Sequence, residues 1–139
     1  MIILDTNVVS EPIKPKSDRK VQEWLDRQVA DTLYLTATSL AELLVGVETL
    51  PAGKRRETLS AALVELIEKL FGNRILSFDR EAATISARLT GRARASGHTI
   101  SFGDNQIAAI AIANGFAVAT RDTAPFEAAG VRVINPWKQ

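Results

Sequence analysis

Ile107-Ala108-Ala109-Ile110-Ala111-Ile112-Ala113, closed by Asn114-Gly115 and followed at once by Phe116-Ala117-Val118-Ala119-Thr120, decides the fold. The first run opens at Gly103-Asp104 and offers no polar face at any helical angle, so it reads as a central helix packed all round. Asn-Gly is a helix stop. The run after it is a short, wholly apolar strand. A helix with no wet side and a strand with no wet side belong together in a parallel sheet covered on both faces.

The same alternation extends outward from this unit. Ile2-Ile3-Leu4 reads as a buried strand ended by Asp5-Thr6-Asn7, and Pro12 and Pro15 mark a turn. Ser17 is expected to cap a helix carrying Val21, Trp24, Leu25 and Val29. Residues 32–37 alternate β-formers, and a helix is expected from Ser39 to Leu50. A turn at Pro51-Ala52-Gly53 leads to a long helix with Leu59, Leu63, Leu66, Ile67 and Leu70 on its core face, ended by Gly72-Asn73. Residues 75–78 form a third strand, Asp79 opens a helix running to Ala95, and residues 131–134 form a fifth strand. The expected architecture is α/β: three layers, α/β/α, around a central parallel sheet of four to five strands, in a single domain spanning 1–139.

Composition narrows the chemistry. With 139 residues, 46% hydrophobic and 24% charged, the chain is globular rather than disordered. A formal net charge of +1 does not announce a nucleic-acid binder, although a protein with an acidic site needs basic residues elsewhere just to reach neutrality. The absence of cysteine excludes disulfides, thiolate metal sites and thiol nucleophiles. A single histidine, His98, excludes a multi-histidine zinc site, and no Gly-x-Ser-x-Gly elbow accompanies it. Met1 to Leu4 is too short for a signal peptide, and no apolar stretch approaches the roughly 20 residues that span a bilayer. A cytoplasmic protein without membrane contact is expected.

Parallel sheets bind ligands at the carboxyl ends of their strands, and four acids fall there. Asp5 follows the first strand and Asp122 the fourth. Glu42 lies one turn into the helix after the second strand, and Asp104 begins the helix that leads into the fourth. Each also has a purely structural explanation, because Asp is a favoured helix cap and both Ser39-Leu40-Ala41-Glu42 and Ser101-Phe102-Gly103-Asp104 fit a capping box. Two settings argue for more. Glu42 shares its helix face with Thr38, Val45 and Gly46, which suggests a second covered face and a half-buried glutamate in need of a partner. Asp104 stands at the mouth of the all-apolar helix, beside small Ala108 and Ala111. Converging carboxylates repel one another unless a cation neutralises them. Only Arg121 lies next to any of the four, so a divalent ion is the simplest neutraliser, and an all-oxygen donor set suits Mg²⁺ or Mn²⁺.

Ile-Leu-Asp-Thr-Asn at 3–7, Thr-Ser-Leu-Ala-Glu-Leu at 38–43, Asp-Asn-Gln-Ile-Ala-Ala at 104–109 and Ala-Thr-Arg-Asp at 119–122 together resemble the PIN-domain ribonucleases. More narrowly, the chain is similar to the VapC-type toxins of bacterial toxin–antitoxin pairs. The ending Gly130-Val131 with Ile134-Asn135-Pro136-Trp137 resembles the FitB-like branch. The resemblance spans essentially the whole chain and places the family's acidic quartet on Asp5, Glu42, Asp104 and Asp122. It implies Asp5 and Asp104 as the most direct metal ligands, Glu42 and Asp122 as completing the pocket, and Thr6, Asn7 and Thr120 as supporting residues. Mg²⁺ (or Mn²⁺)-dependent cleavage of RNA phosphodiesters by an activated water follows from it, as do self-association as a dimer or higher and a cognate antitoxin that masks the acidic pocket. Two departures stand out: Phe102-Gly103 replaces the Ala often found before the third acid, and some members carry Asn at the position of Asp122.

The basic residues give the RNA its expected contacts. Arg92 and Arg94 precede the loop into Asp104, Arg121 lies within the fourth motif, and Lys54-Arg55-Arg56 reads as a solvated helix face. Two other functions fit parts of the pattern. A haloacid-dehalogenase-like phosphatase also opens with a strand and an Asp, but its second Asp is Asn7 here. A receiver-like regulatory module needs an acceptor Asp at the third strand, where only Asp79 stands.

Overall fold

The computed structural model describes residues 1–139. Five strands form one parallel sheet: β1 (Ile2–Leu4), β2 (Leu33–Thr36), β3 (Ile75–Leu76), β4 (Ala117–Ala119) and β5 (Val133–Ile134), in the order β3-β2-β1-β4-β5. The register sets Ile2 opposite both Leu33 and Ala117, and Ile3 opposite Val118. The chain first builds outward from β1 to β2 and β3, then returns to add β4 and β5 on the other side. Strand order therefore reverses at β1, which makes its carboxyl end the crevice of the sheet.

Side-chain alternation divides the sheet between two cores. Leu4, Leu33, Leu35 and Ala119 face one layer, where they pack with Val8, Val9, Trp24, Leu43, Leu63 and Phe71. This layer is made by helices α1 (Thr6–Ser10), α2 (Arg19–Asp26), α3 (Ala37–Glu48) and α4 (Lys54–Leu70). Ile3 and Val118 face the other layer, built from α5 (Arg80–Ala95), α6 (Phe102–Asn114) and α7 (Ala124–Ala128). Helix α6 is the centre of that layer. Ile107, Ala108, Ala109, Ile110 and Ala111 are all buried, but Ile112 is 37% exposed, so the helix is enclosed through its middle and opens to solvent in its last turn. Gly115 ends the helix at φ 69°, a left-handed conformation that any side chain would strain.

The element boundaries differ from expectation where short-range chemistry decides them. Asp18, not Ser17, caps α2 by accepting the Lys20 N–H at 2.8 Å, and Val29 lies beyond the helix, 65% exposed. Helix α3 starts two residues early: Thr36 Oγ1 accepts the Ser39 N–H at 3.0 Å, so Ser39 sits inside the first turn and Glu42 belongs to no capping box. The helix follows so directly on β2 that the last strand residue is already its cap. The third and fifth strands shrink to two residues each. Helices α1 and α7, with five residues each, are too short to leave a periodic signal. No helix is long and apolar enough to cross a membrane.

One buried polar group interrupts the apolar circumference of α6. Asn105 is 3% exposed, and its side chain is shared between two residues of α5: its Oδ1 accepts the Ser86 hydroxyl and its Nδ2 donates to Thr90 Oγ1 at 2.8 Å. This fully used amide fixes the start of α6 against α5, one residue after Asp104. Because Ala109 is fully enclosed in the second core, enlarging it should force the surrounding elements apart. Ala109→Leu is expected to destabilise the protein by about 1–3 kcal/mol, read as a lower urea midpoint. An unchanged midpoint would mean that the helix is not tightly enclosed.

Candidate active site

Asp5 is the first residue past the central strand. It is 6% exposed, and both of its oxygens are engaged: Oδ1 accepts the Thr6 N–H at 2.8 Å and Oδ2 accepts the Thr120 hydroxyl at 2.8 Å. Its pKa is nonetheless raised above the ordinary aspartate value. Burial is the main cause, the bonds from Thr120 and Thr6 oppose it, and the nearby charges of Asp104 and Glu42 add to it. Three acids distant in sequence are thus electrostatically in contact.

Thr120 organises the loop after β4. Its buried hydroxyl donates to Asp5 and accepts the Asp122 N–H at 3.1 Å and the Asn7 side-chain amide at 3.4 Å. A hydroxyl has one proton and two lone pairs, so its capacity is fully used. Asn7 returns the contact by accepting the Arg121 N–H at 3.3 Å. The ends of β1 and β4 are therefore tied together by side chains, which fixes Asp122 relative to Asp5. Thr6 continues the frame toward α3, its hydroxyl lying 3.4 Å from Glu42 Oε1. Glu42 also overhangs the start of α6, since a Cβ placed on Gly103 would meet its carboxylate at 3.6 Å. Thr38 Oγ1 donates to Gln106 Oε1 at 2.7 Å and joins the same two helices.

Capping does not account for these acids. Ser101 caps α6 by accepting the Asp104 N–H at 3.2 Å, but the Asp104 carboxylate bonds to nothing in the protein. The Asp122 carboxylate likewise has no protein partner, and α7 has no side-chain cap. Only Asp5 combines a cap with a place in the cluster. One expectation is corrected here. Glu42 is exposed rather than half-buried, and Leu44 and Val45 beside it are 41% and 57% exposed, so nothing in this chain covers that face of α3. The apolar residues that suggested burial lie open to solvent.

No cation of the protein neutralises the cluster. The ion pairs join Lys14 to Glu11, Arg19 to Glu23, Arg56 to Glu48 and Arg74 to Asp31, and none reaches Asp5, Glu42, Asp104 or Asp122. A carboxylate pushed toward its neutral form by burial and, to a lesser degree, by neighbouring carboxylates, with an all-oxygen donor set around it, fits a hard divalent cation. No three of the acids converge closely enough to grip one ion by themselves. That openness suits Mg²⁺, which is commonly held by one or two carboxylates, with waters and phosphate oxygens filling the remaining positions.

The basic residues divide. Arg121 lies in the site loop. Arg92 and Arg94 are exposed on α5, and Arg92 lines a cleft of about 310 Å³ with His98, Ser96 and Pro125 that contains none of the four acids. A wider concavity of about 770 Å³ between Gly53, Arg56 and Val64 also lies apart from them. Asp79 is occupied in capping α5 through the Ala82 N–H at 2.9 Å, which removes the acceptor a receiver-like module would need. Asn105 and Trp137 went unassigned in the sequence. The polar Asp104-Asn105-Gln106 ahead of an apolar run was the available signal for the first; the second was visible only as part of the Ile134-Asn135-Pro136-Trp137 ending.

The chain is similar to known proteins along nearly its whole length. A family model described as "PIN domain" matches residues 2–131. The protein called VapC ribonuclease Y4jK, from Sinorhizobium fredii, is 49% identical over 138 residues, 99% of each chain. Toxin FitB of Neisseria gonorrhoeae is 44% identical over 137 residues, again 99% of each. The crystal structure of FitAcB from the same organism includes a chain with a TM-score of 0.94 and 44% identity, covering 100% of both chains.

The raised pKa of Asp5 has a thermodynamic consequence. Between the ordinary aspartate value and the raised one, the folded state binds a proton that the unfolded state has released. Stability is therefore full at acid pH and falls as pH rises through the folded pKa. In metal-free protein this segment of the pH dependence is expected to disappear in Asp5→Asn, read by urea denaturation in EDTA from acid to neutral pH. Parallel profiles for the two proteins would contradict a raised Asp5.

Proposed function

The chain belongs to the PIN-domain family, and we propose that it is the toxin of a toxin–antitoxin pair, an endoribonuclease that uses Mg²⁺, or Mn²⁺ in its place, to hydrolyse RNA. The observation that carries this is Asp5: a buried carboxylate at the switch point of the sheet, raised in pKa by burial, Asp104 and Glu42, and met by no cation of the protein. Residues 1–139 are taken as one PIN domain.

A divalent ion bound there supplies a water acidified toward neutral pH and a positive charge for the phosphate. The protein's residues supply the rest. Asp5 and Asp104 would hold the ion, Asp5 with its orientation locked by Thr120 and Thr6, and Asp104 with a carboxylate free of other bonds. Glu42, lying over the start of α6 and tethered by Thr6, and Asp122, fixed by its backbone to Thr120, complete the pocket and orient water through their carboxylates. Both are exposed and hydrated, which suits outer positions rather than direct ligation. Asn7 holds the β1 and β4 loops together. Arg92 and Arg94 contact RNA only if the strand extends beyond the pocket to α5.

The partners follow from the relatives and from surfaces left uncovered. The name Toxin FitB and the open acidic pocket support an antitoxin that inserts a basic side chain among the carboxylates. Leu44, Val45, Val64 and Phe102, the last 78% exposed, are apolar side chains available to such a partner or to a second copy of the chain. A cytoplasmic location agrees with an RNA substrate.

Asp5→Asn and Asp104→Asn are each expected to remain folded and to lose Mg²⁺-dependent cleavage of single-stranded RNA by at least about 100-fold. Gel analysis of a purified substrate, with circular dichroism as the control for folding, checks this. Full cleavage by either variant would remove the carboxylate mechanism.

A further inference from the structure

We propose that Arg121 and Trp137 form a clamp for a backbone phosphate of the RNA, with Arg121 making the contact and Trp137 acting as the residue that positions it. This rests on the nuclease reading above and assigns one of its substrate contacts.

Arg121 stands between Thr120, whose hydroxyl bonds to Asp5, and Asp122. A guanidinium in such a loop is expected to fold over onto the nearest carboxylate. Here it does not. It forms no ion pair with any acid, and its side chain donates no hydrogen bond to the protein. Instead its guanidinium carbon lies 5.2 Å from the ring centroid of Trp137. A cation–π contact at an exposed site is a modest attraction, but it occupies one face of the guanidinium and leaves every N–H edge free.

Both members are held in place from behind. The Arg121 N–H is fixed to Asn7 Oδ1 at 3.3 Å. Trp137 packs on the first core while remaining partly exposed. The Trp137 N–H donates to Asn135 Oδ1 at 3.0 Å, and the intervening Pro136 is buried. The backbone of Trp137 is thus anchored, and its half-buried indole packs against the core while carrying the guanidinium. The only cation in the loop of acids is held off those acids and keeps its donors unspent. Phosphate is the anion that matches a free planar fork. The placement also answers an electrostatic problem. A polyanionic strand approaching four carboxylates meets repulsion, and a cation on the rim offsets it without neutralising the metal ligands.

The test measures binding, so it does not depend on turnover. Fluorescence anisotropy with a labelled single-stranded RNA is run on the Asp104→Asn protein in Mg²⁺ across a salt series. Adding Arg121→Gln is expected to raise Kd about tenfold. It should also flatten the slope of log affinity against log salt by about 0.7, the loss of one phosphate contact. Trp137→Leu should reproduce much of this, and Trp137→Phe, which keeps an aromatic face, should restore it. Arg132→Gln removes the same charge at the amino end of β5, on the opposite rim, and should move neither quantity. Thermal melts identify any variant that fails to fold; should Trp137→Leu be one, the Arg121 and Trp137→Phe comparisons still decide. An unchanged Kd and slope in Arg121→Gln, an equal effect of Arg132→Gln, or a folded Trp137→Leu that binds like the parent would each overturn the clamp. Wild-type protein that cleaves RNA while Arg121→Gln binds normally removes this inference alone. Wild-type protein that neither cleaves nor binds RNA removes the nuclease reading, and the clamp with it.

Discussion

A carboxylate buried at the end of the central strand is the constraint around which the site is arranged. Water would solvate Asp5 better than the protein does, and its raised pKa measures that disadvantage. Two hydrogen bonds offset part of it, and the charges of Asp104 and Glu42 deepen it. A fold optimised for stability alone would place Asn or Ser there. Holding an ionisable group in an environment that disfavours its charge is reasonable where a cation is to be bound, because binding then relieves burial and repulsion together. In the proposed nuclease, this destabilised carboxylate is what gives the cluster of acids its use for a divalent cation.

The rest of the structure keeps that cluster from relaxing. Strand order reverses at β1, so the ends of β1 and β4 and the starts of α3 and α6 share one rim. Thr120 then locks two of the loops with a single, fully used hydroxyl, and Thr6 and Thr38 tie α3 to the same frame. Behind Asp104, Asn105 anchors the first turn of α6 to α5, and the alanine-rich body of the helix sits against the sheet. Rigidity comes from small residues and short polar bridges; long flexible side chains are left for the rim, where Arg121 rests on Trp137.

Much of this was legible in the sequence, for identifiable reasons. The apolar run at 107–113 marked a central helix, buried through Ala111 although open at Ile112, and its neighbour at 116–120 marked a buried strand, which spans Ala117–Ala119. Together they imply a parallel sheet, and the sheet implies the rim that brings Asp104 within electrostatic reach of Asp5. Boundaries set by a single hydrogen bond were not legible. Asp18 and Ser17 are both good caps, and tertiary geometry chose Asp18. The environment of Glu42 was misjudged because Leu44 and Val45 resemble core residues, whereas within this chain they face solvent. Apolar residues that the folded chain leaves exposed look the same in a sequence as those of its interior. The pairing of Arg121 with Trp137 joins residues in different elements and leaves no local pattern at all.

Membership of the PIN-domain family and the geometry of the acids point to the same chemistry, and the proposed link between them is metal binding by Asp5 and Asp104. Isothermal titration of the purified protein with Mn²⁺ at neutral pH measures that link directly. The account predicts saturable binding by the wild type, its loss in Asp5→Asn and Asp104→Asn, and weaker but measurable binding in Glu42→Gln and Asp122→Asn. Binding that persists unchanged in folded Asp5→Asn protein would contradict it.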